Sequence, residues 1–349
     1  MSKDPITIKD IAKALGVSVS TVSRALKDSP DISEKRRKAI QQYAAEHRYQ
    51  PNTLAATLRS TRNARPKIVG VILPQFAHYY FSCILTGIEE TCSKHGYRIL
   101  TAQSNDSYER EKEIIESYRK IRVCGIIVSQ AKDTVRYEHF HEVIKDGIPL
   151  IFFDRICTDI LTSRIVVDDY AGAFAATEHL INTGCKRICF FGATMNLEIS
   201  KNRFNGYRDA LLKNKLPVIP SLFRICDNRK EAEMLTPEMM QMENHPDGFF
   251  TINDDTALGV LYACKRMGYR VPEDVSICGF ADGIRAISCD PQLTTVEQRG
   301  YEVGQAAAAA FIEEYEQDIK ENEKRKFHNK IIKTRLVVRG TTKQKCPTE

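Results

Sequence analysis

Apolar and polar positions recur along this chain with two different periods. In TIKDIAKALGVSVSTVSRAL, Thr7 to Leu26, the residues Ile8, Ile11, Ala12 and Leu15 fall at the i, i+3, i+4, i+7 spacing of one helical face. Thr7 and Asp10 have the form of a capping box, with Asp in place of the usual Glu. Gly16 then supplies a turn. Ser18 is suited to cap a second helix whose Val22, Ala25 and Leu26 point inward. Behind Ser33 a third stripe follows, made of Ala39, Ile40, Tyr43 and Ala44. Three short helices around one small core, with a glycine turn between the first two, predict a helix-turn-helix. The second helix of such a module enters the major groove of DNA.

From Lys67 onward the pattern becomes strand–helix alternation. Apolar runs IVGVIL (68–73), YRILTA, CGIIVS, IPLIFFD, RICFFG, FRICD, DGFFTI and VSICGF read as strands of a buried parallel sheet. Helical stretches separate them, among them Phe81–His95, Tyr108–Arg119, Ala171–Thr183, Ala257–Met267 and Tyr301–Tyr315. The alternation predicts an α/β fold of doubly wound parallel sheets. So many strands divide better into two subdomains with a cleft between them than into one sheet. Between head and body lies YQPNTLAATLRS, a short helix started by Pro51, then the polar, basic TRNARPK. The expected organisation is a head over 1–50, a hinge helix and linker over 51–66, a body over 67–342 and a short tail over 343–349.

Charge sharpens the division. Residues 1–66 hold 13 Lys and Arg against 6 Asp and Glu, whereas the rest holds 38 against 39. A basic head on a neutral body suits a polyanion, although charge alone fits a solvated surface equally well. The eleven cysteines include no CxxC pair and many lie inside apolar runs, so free thiols in a reducing compartment are expected rather than disulfides or zinc. The N-terminus has no apolar signal-peptide core and no run suits a membrane span, which predicts a cytoplasmic protein without membrane contact.

On the second helix, Val19, Ser20 and Arg24 are expected to face outward. Arg24 is able to donate two hydrogen bonds to a guanine edge, and Ser18, Thr21 and Ser23 suit phosphate contacts. In the hinge, Leu58 is an apolar residue fit to wedge into a minor-groove step. In the body, ligands belong at the carboxyl ends of the strands. Asp154 and Arg155 follow IPLIFFD, Asn253, Asp254 and Asp255 follow DGFFTI, Asp282 follows VSICGF, and Arg203 opens NRFNGYRDAL. Each is equally readable as a helix cap. There is no GxSxG, no GxxxxGK[ST], no HExxH and no histidine cluster, so neither catalysis, a metal nor a cofactor is expected.

Taken together these segments resemble the LacI/GalR family of bacterial transcription regulators, from Thr7 to about Thr342. The head, YQPNTLAATL, GIEE (87–90), ATEHLINTGCKRICFFG (176–192), NRFNGYRDAL (202–211), TINDDTALGV (251–260), RVPEDVSICGF (270–280) and PQLTTVEQ (291–298) follow the family pattern in order. The resemblance implies a homodimer on double-stranded, near-palindromic operator DNA, with a body like periplasmic sugar-binding proteins. A sugar or related small-molecule effector is expected there. By motif position, Val19, Ser20 and Arg24 become base readers. Thr7, Ser18, Thr21, Ser23, Lys27 and Asn52 become backbone contacts, and Ala55 and Leu58 belong to a hinge that folds on DNA. His78, Tyr80, Phe81, Asp154, Arg155, Arg203, Asn253, Asp254, Asp282 and Gln298 are the effector-site candidates.

Three departures stand out. Lys27 replaces an Asn after the recognition helix, HYYF (78–81) replaces an NPFF-like segment, and GFAD puts Ala281 where a first carboxylate is usual. The tail lacks heptads, so a dimer rather than a tetramer is expected. The function implied is an effector-controlled transcriptional repressor. Its rival is a cytoplasmic solute-binding protein with a non-functional head, against which the intact head argues.

Overall fold

A computed structural model describes residues 6–49, 66–321 and 326–344. They fall into two compact units, within Met1–Pro66 and within Lys67–Glu349.

The first unit is built from helices α1 (Ile8–Ala14), α2 (Val19–Leu26) and α3 (Glu34–Glu46). Ile11, Ala12, Val22, Ala25, Ile40 and Ala44 are buried at its centre, and Leu15, Val17, Leu26 and Tyr43 close over them. Thr7 and Asp10 form the reciprocal capping box, and the Ser18 side chain accepts from the Thr21 amide. Gly16 takes the left-handed turn, φ 63°, which a residue without Cβ adopts without strain. Ala39 is exposed, unlike the expected stripe. It sits one residue, about 100° of helix, off the Ile40–Ala44 line. Gln41 Nε2 donates to Ala25 O at 3.0 Å and to Asp28 Oδ1 at 2.8 Å, tying the end of α2 to α3.

The second unit holds two six-stranded sheets. The first carries β1 (Ile68–Leu73), β2 (Arg98–Gln103), β3 (Gly125–Val128), β4 (Leu150–Phe153), β5 (Ser163–Val167) and β11 (Asn329–Ile332), in the order β11-β5-β4-β3-β1-β2. All its pairings are parallel, with Val71 opposite Thr101 and Ile127. The second carries β6 (Ile188–Gly192), β7 (Phe223–Ile225), β8 (Gly248–Thr251), β9 (Ser276–Ala281), β10 (Thr294–Glu297) and β12 (Arg335–Val337), in the order β12-β10-β9-β8-β6-β7. Only its edge pair β10–β12 is antiparallel.

The chain passes between the sheets three times, after Val167, after Glu297 and between Ile332 and Arg335. Helix Asp169–Asn182 follows the first passage, and its Ala173, Ala176 and Leu180 pack into the core of the second sheet. Helix Gly300–Glu321 follows the second passage and sends Val303, Ala307 and Phe311 into the core of the first. The subdomains are therefore interleaved. Strands β5, β10, β11 and β12, and helices Glu138–Lys145 and Arg229–Met240, were not among the expected elements. The strands are short, and β11 and β12 are largely exposed, so no apolar run announces them. No helix among the described residues is long and apolar enough to cross a membrane.

Helix Gly300–Glu321 crosses helix Tyr79–Lys94 with backbones nearly touching. A Cβ on Gly304 would stand 2.1 Å from the Ile84 carbonyl oxygen, and one on Gly87 2.3 Å from that of Tyr301. Both obstacles are backbone and cannot swing aside. Gly304→Ala is expected to destabilise the body by about 1–3 kcal/mol through overpacking, outweighing the roughly 1 kcal/mol that Ala gains in helix propensity. A urea midpoint equal to that of the parent protein would show that the two helices are free to separate.

Candidate functional site

On α2, Val22 and Ala25 face the core, so the opposite face is fixed in solvent. Ser20, Arg24 and Lys27, spaced i, i+4, i+7, are exposed along it, and Val19 is exposed beside them. The Arg24 side chain is half exposed, its Nε 3.4 Å from Ser20 O and its Nη1 4.0 Å from Asp31. Neither contact commits the guanidinium fork. Thr21 and Ser23 flank the stripe half-buried. Ser18 Oγ lies 2.8 Å from both Ser20 Oγ and Thr21 Oγ1, so the hydroxyls at the helix start form one cluster. Thr7 Oγ1 donates to Asp10 at 2.6 Å, and these bonds hold the Asp10 carboxyl below its usual range. Asn52, Ala55 and Leu58 lie outside the described residues.

In the body, the carboxyl ends of both sheets open on one cavity of about 510 Å3. Pro74, His78, Tyr80, Phe81, Asp106, Lys132, Asp154 and Arg155 come from the first sheet's strand ends. Leu197, Arg203, Asp227, Asn253, Asp255, Arg285 and Gln298 come from the second's. The size and the mixture of apolar walls with convergent polar groups are those of a small-molecule site.

The floor is rigid. Arg203 donates from Nε to Asp169 at 2.8 Å and from Nη1 to the Ile252 carbonyl, with its guanidinium 3.7 Å above the Phe280 ring. Burial raises the Asp169 carboxyl to about 6 against the pull of Arg203. Asp154 is buried with a left-handed φ of 57°, and burial raises its carboxyl while Arg155 and Arg203 oppose the shift. Beside it, burial lowers the His78 imidazole and raises the Tyr80 phenol. His78 Nδ1 and Arg155 Nε are buried and complete no hydrogen bond, whereas the Tyr80 hydroxyl meets the Asp154 carboxyl. Asn253 accepts from Thr256 N at 2.8 Å and donates to Asp227 O at 2.7 Å, so it is both a helix cap and a clamp on the next loop. Opposite, the buried Glu111 accepts from Ala131 N, Thr134 Oγ1 and His139 Nε2. This fixes the loop that presents Lys132, and Lys132 reaches across the cleft to pair with Asp227.

Residues 7–52 match the profile of bacterial regulatory proteins of the lacI family, and residues 177–342 match the periplasmic binding protein-like domain. The chain is 29% identical over 342 residues to the ribose operon repressor of Halalkalibacterium halodurans, covering 97% of each. It is 28% identical over 345 residues to the repressor PurR of Vibrio parahaemolyticus, covering 97% and 99%. Among solved structures, the Lac repressor dimer bound to operator and the anti-inducer ONPF superposes with TM-score 0.81 at 23% identity, over 98% and 100% of the chains. The regulator CelR in complex with cellobiose superposes at 0.72 and 23%, over 96% and 99%. These two share the fold. The chain joins a lacI-family DNA-binding domain to a periplasmic binding protein-like domain.

Of the effector-site candidates, the cavity is lined by His78, Tyr80, Phe81, Asp154, Arg155, Arg203, Asn253 and Gln298. Two candidates do not line it. Asp254 is buried behind the wall, where it accepts from Thr295 Oγ1 at 2.5 Å and Gly283 N at 2.9 Å. It anchors the turn after β9. Asp282 lies in a separate hollow of about 240 Å3 and pairs with Arg339 at 2.7 Å. Ala281 borders that same hollow. The cavity residues that sequence reasoning missed are Asp106, Lys132, Asp227, Arg229, Lys230 and Arg285. They sit on loops after strands or at the starts of the helices that follow, and charges at such places read as ordinary solvated surface.

Burial raises the Asp254 carboxyl to about 6. Between the ordinary carboxylate range and pH 6, the folded chain therefore keeps a proton that the unfolded chain has released. Raising the pH through that window removes stability, by about 1.4 kcal/mol per unit of difference. Asp254→Asn carries no such proton. Its urea midpoint is expected to fall less than that of the parent protein between pH 4 and pH 6.5. Parallel curves for the two proteins would contradict the raised carboxyl.

Proposed function

We propose that the protein is a transcriptional repressor that binds a near-palindromic operator as a homodimer, with its affinity set by a small molecule in the cleft of the body. The observation that carries this reading is the presence, in one chain, of a reading helix with an uncommitted Arg24 fork and a ligand-sized cavity floored by unsatisfied polar groups. Relatives named as ribose operon repressors, PurR and CytR support the repressor sense. The solved Lac repressor dimer on operator supports two heads on one site. The effector class is a sugar or a related metabolite, as it is for the ribose-bound regulator of Enterococcus faecium. The reading includes no catalytic step, and it places the protein in the cytoplasm.

Val19, Ser20 and Arg24 read bases, and Thr7, Ser18, Thr21, Ser23 and Lys27 hold phosphates. Asn52, Ala55 and Leu58 extend the contact through the hinge. One head alone makes few contacts, so two heads gain by effective concentration only when their spacing fits the operator. In the body, three connections join two rigid sheets, and Lys132 with Asp227 links the lips of the cleft. A ligand shifts operator affinity only as far as it binds the two cleft states differently.

Arg24→Ala is expected to cost about 1–3 kcal/mol at one operator position and to relax base preference there. Gel shifts against a randomised operator library, run at several salt concentrations, measure both. A loss spread evenly over all sequences would make Arg24 a phosphate contact. Absence of any sequence-selective, salt-sensitive band from the parent protein, with or without sugars, would defeat the repressor reading.

A further inference from the structure

The described residues of the head include the acidic side chains Asp10, Asp28, Asp31, Glu34 and Glu46. All but one of them are engaged by the head's own structure. Asp10 closes the capping box with Thr7, and Asp28 meets Gln41 at 2.8 Å and Arg37 at 3.7 Å on α3. Glu34 pairs with Lys38, and Glu46 accepts from Gln42, each across one turn of α3. Asp31 differs. It caps no helix, since Ser33 stands at the start of α3. Its Oδ2 accepts from Ser29 Oγ at 3.3 Å and lies 4.0 Å from Arg24 Nη1. On a basic head, a carboxylate therefore stands beside the residue best placed to read a base.

The backbone makes this placement. Ser29 N donates to Arg24 O at 3.0 Å, Asp28 N to Ala25 O at 3.3 Å and Ile32 N to Ser29 O at 3.3 Å. Asp28 takes a left-handed φ of 55°, and Ile32 packs against the head core. The turn between α2 and α3 is thereby folded back on the last turn of α2. Asp31 stays next to Arg24 even when their side chains do not touch. An exposed pair at this distance adds little to stability. Its consequence lies in what Arg24 is able to bind.

A guanidinium carries five N–H donors. Two of them suffice for the O6 and N7 acceptors of a guanine, which bear no formal charge. Arg24 bound there keeps its charge and has donors left for Asp31. A phosphate instead competes with Asp31 for the cation. Turning Arg24 to a phosphate strands the carboxylate beside that second anion, and the two repel. We infer that Asp31 is a specificity-determining residue of the DNA interface. It holds the Arg24 fork toward a guanine and makes the fallback contact of Arg24 with phosphate costly. The result is discrimination against wrong sites rather than tighter binding to the right one. This role rests on the reading of α2 as the base-reading helix of a repressor, and it adds a residue outside that helix to its specificity.

The test uses the full chain and two DNA probes: the best site recovered from a randomised operator library, and a duplex of the same composition in shuffled order. Fluorescence anisotropy at several salt concentrations gives affinities for the parent protein, Asp31→Asn and Asp31→Ala. Both variants are expected to bind the shuffled duplex about fivefold tighter, with a much smaller change on the selected site. The salt slope on the shuffled duplex is expected to steepen by about one, because Arg24 becomes a phosphate contact there. Library selection with Asp31→Asn is expected to show a relaxed guanine preference at the position that Arg24 reads. In an Arg24→Ala background the same substitution is expected to leave base preference unchanged. Equal gains on both duplexes with base preference intact overturn the role of Asp31 and leave the repressor reading standing. A lowered urea midpoint with unchanged specificity overturns it as well, and makes Asp31 a support for the start of α3. A parent protein that selects no site overturns both.

Discussion

The body is organised around the buried pairing of Arg203 with Asp169. Asp169 opens the first helix after the chain leaves the first sheet, and Arg203 lies in a helix on the second. The guanidinium also holds the carbonyl at the end of β8 and covers Phe280. One side chain therefore joins a crossing between sheets, the end of a central strand and the cavity floor. Breaking such a pair from one side leaves a buried charge without a partner and costs about 3–5 kcal/mol. The floor is consequently the fixed part of the site. Adaptation is left to the rim, where charges are half exposed and paired by single contacts.

The head obeys a different rule. Its core is small, so its stability depends on local devices: the Thr7–Asp10 box, the Ser18 cap, the left-handed Gly16 and the Gln41 tie. These devices use up the hydroxyls of Thr7 and Ser18 in the free protein. They leave Ser20, Arg24 and Lys27 on an open face. The residues that build the helix start and the residues available to read a base are thus largely separate sets. Substitutions in one set are expected to act on folding, and those in the other on specificity.

Sequence and structure agree most closely where one local pattern suffices. The apolar runs IVGVIL, CGIIVS, IPLIFFD, RICFFG, DGFFTI and VSICGF became inner strands because a strand buried on both faces has to be apolar throughout, whereas YRILTA and FRICD became the edge strands β2 and β7. The residues closing those runs, Asp154, Arg155 and Asn253, reached the cavity because parallel sheets present their carboxyl ends together. The same rule failed at Asp254 and Asp282. Each has a local partner that no spacing reveals: Thr295 with the Gly283 amide for one, Arg339 for the other. Edge strands β11 and β12 escaped notice because their pairing is made with residues more than a hundred positions away in one case and about forty in the other.

The sequence by itself determined the division into a basic head and an α/β body, the face of α2 that meets solvent and the strand ends that line the cavity. Period, capping and charge are local properties, and the family pattern added their order. Tertiary structure alone decided which of those polar residues are spent on the fold and which remain for a ligand. It placed Lys132 opposite Asp227, buried Asp254 behind the wall and set Asp282 in a separate hollow against Arg339. The physical reason is that a polar group's availability depends on which partners the fold brings within about 3 Å of it, and those partners are remote in sequence.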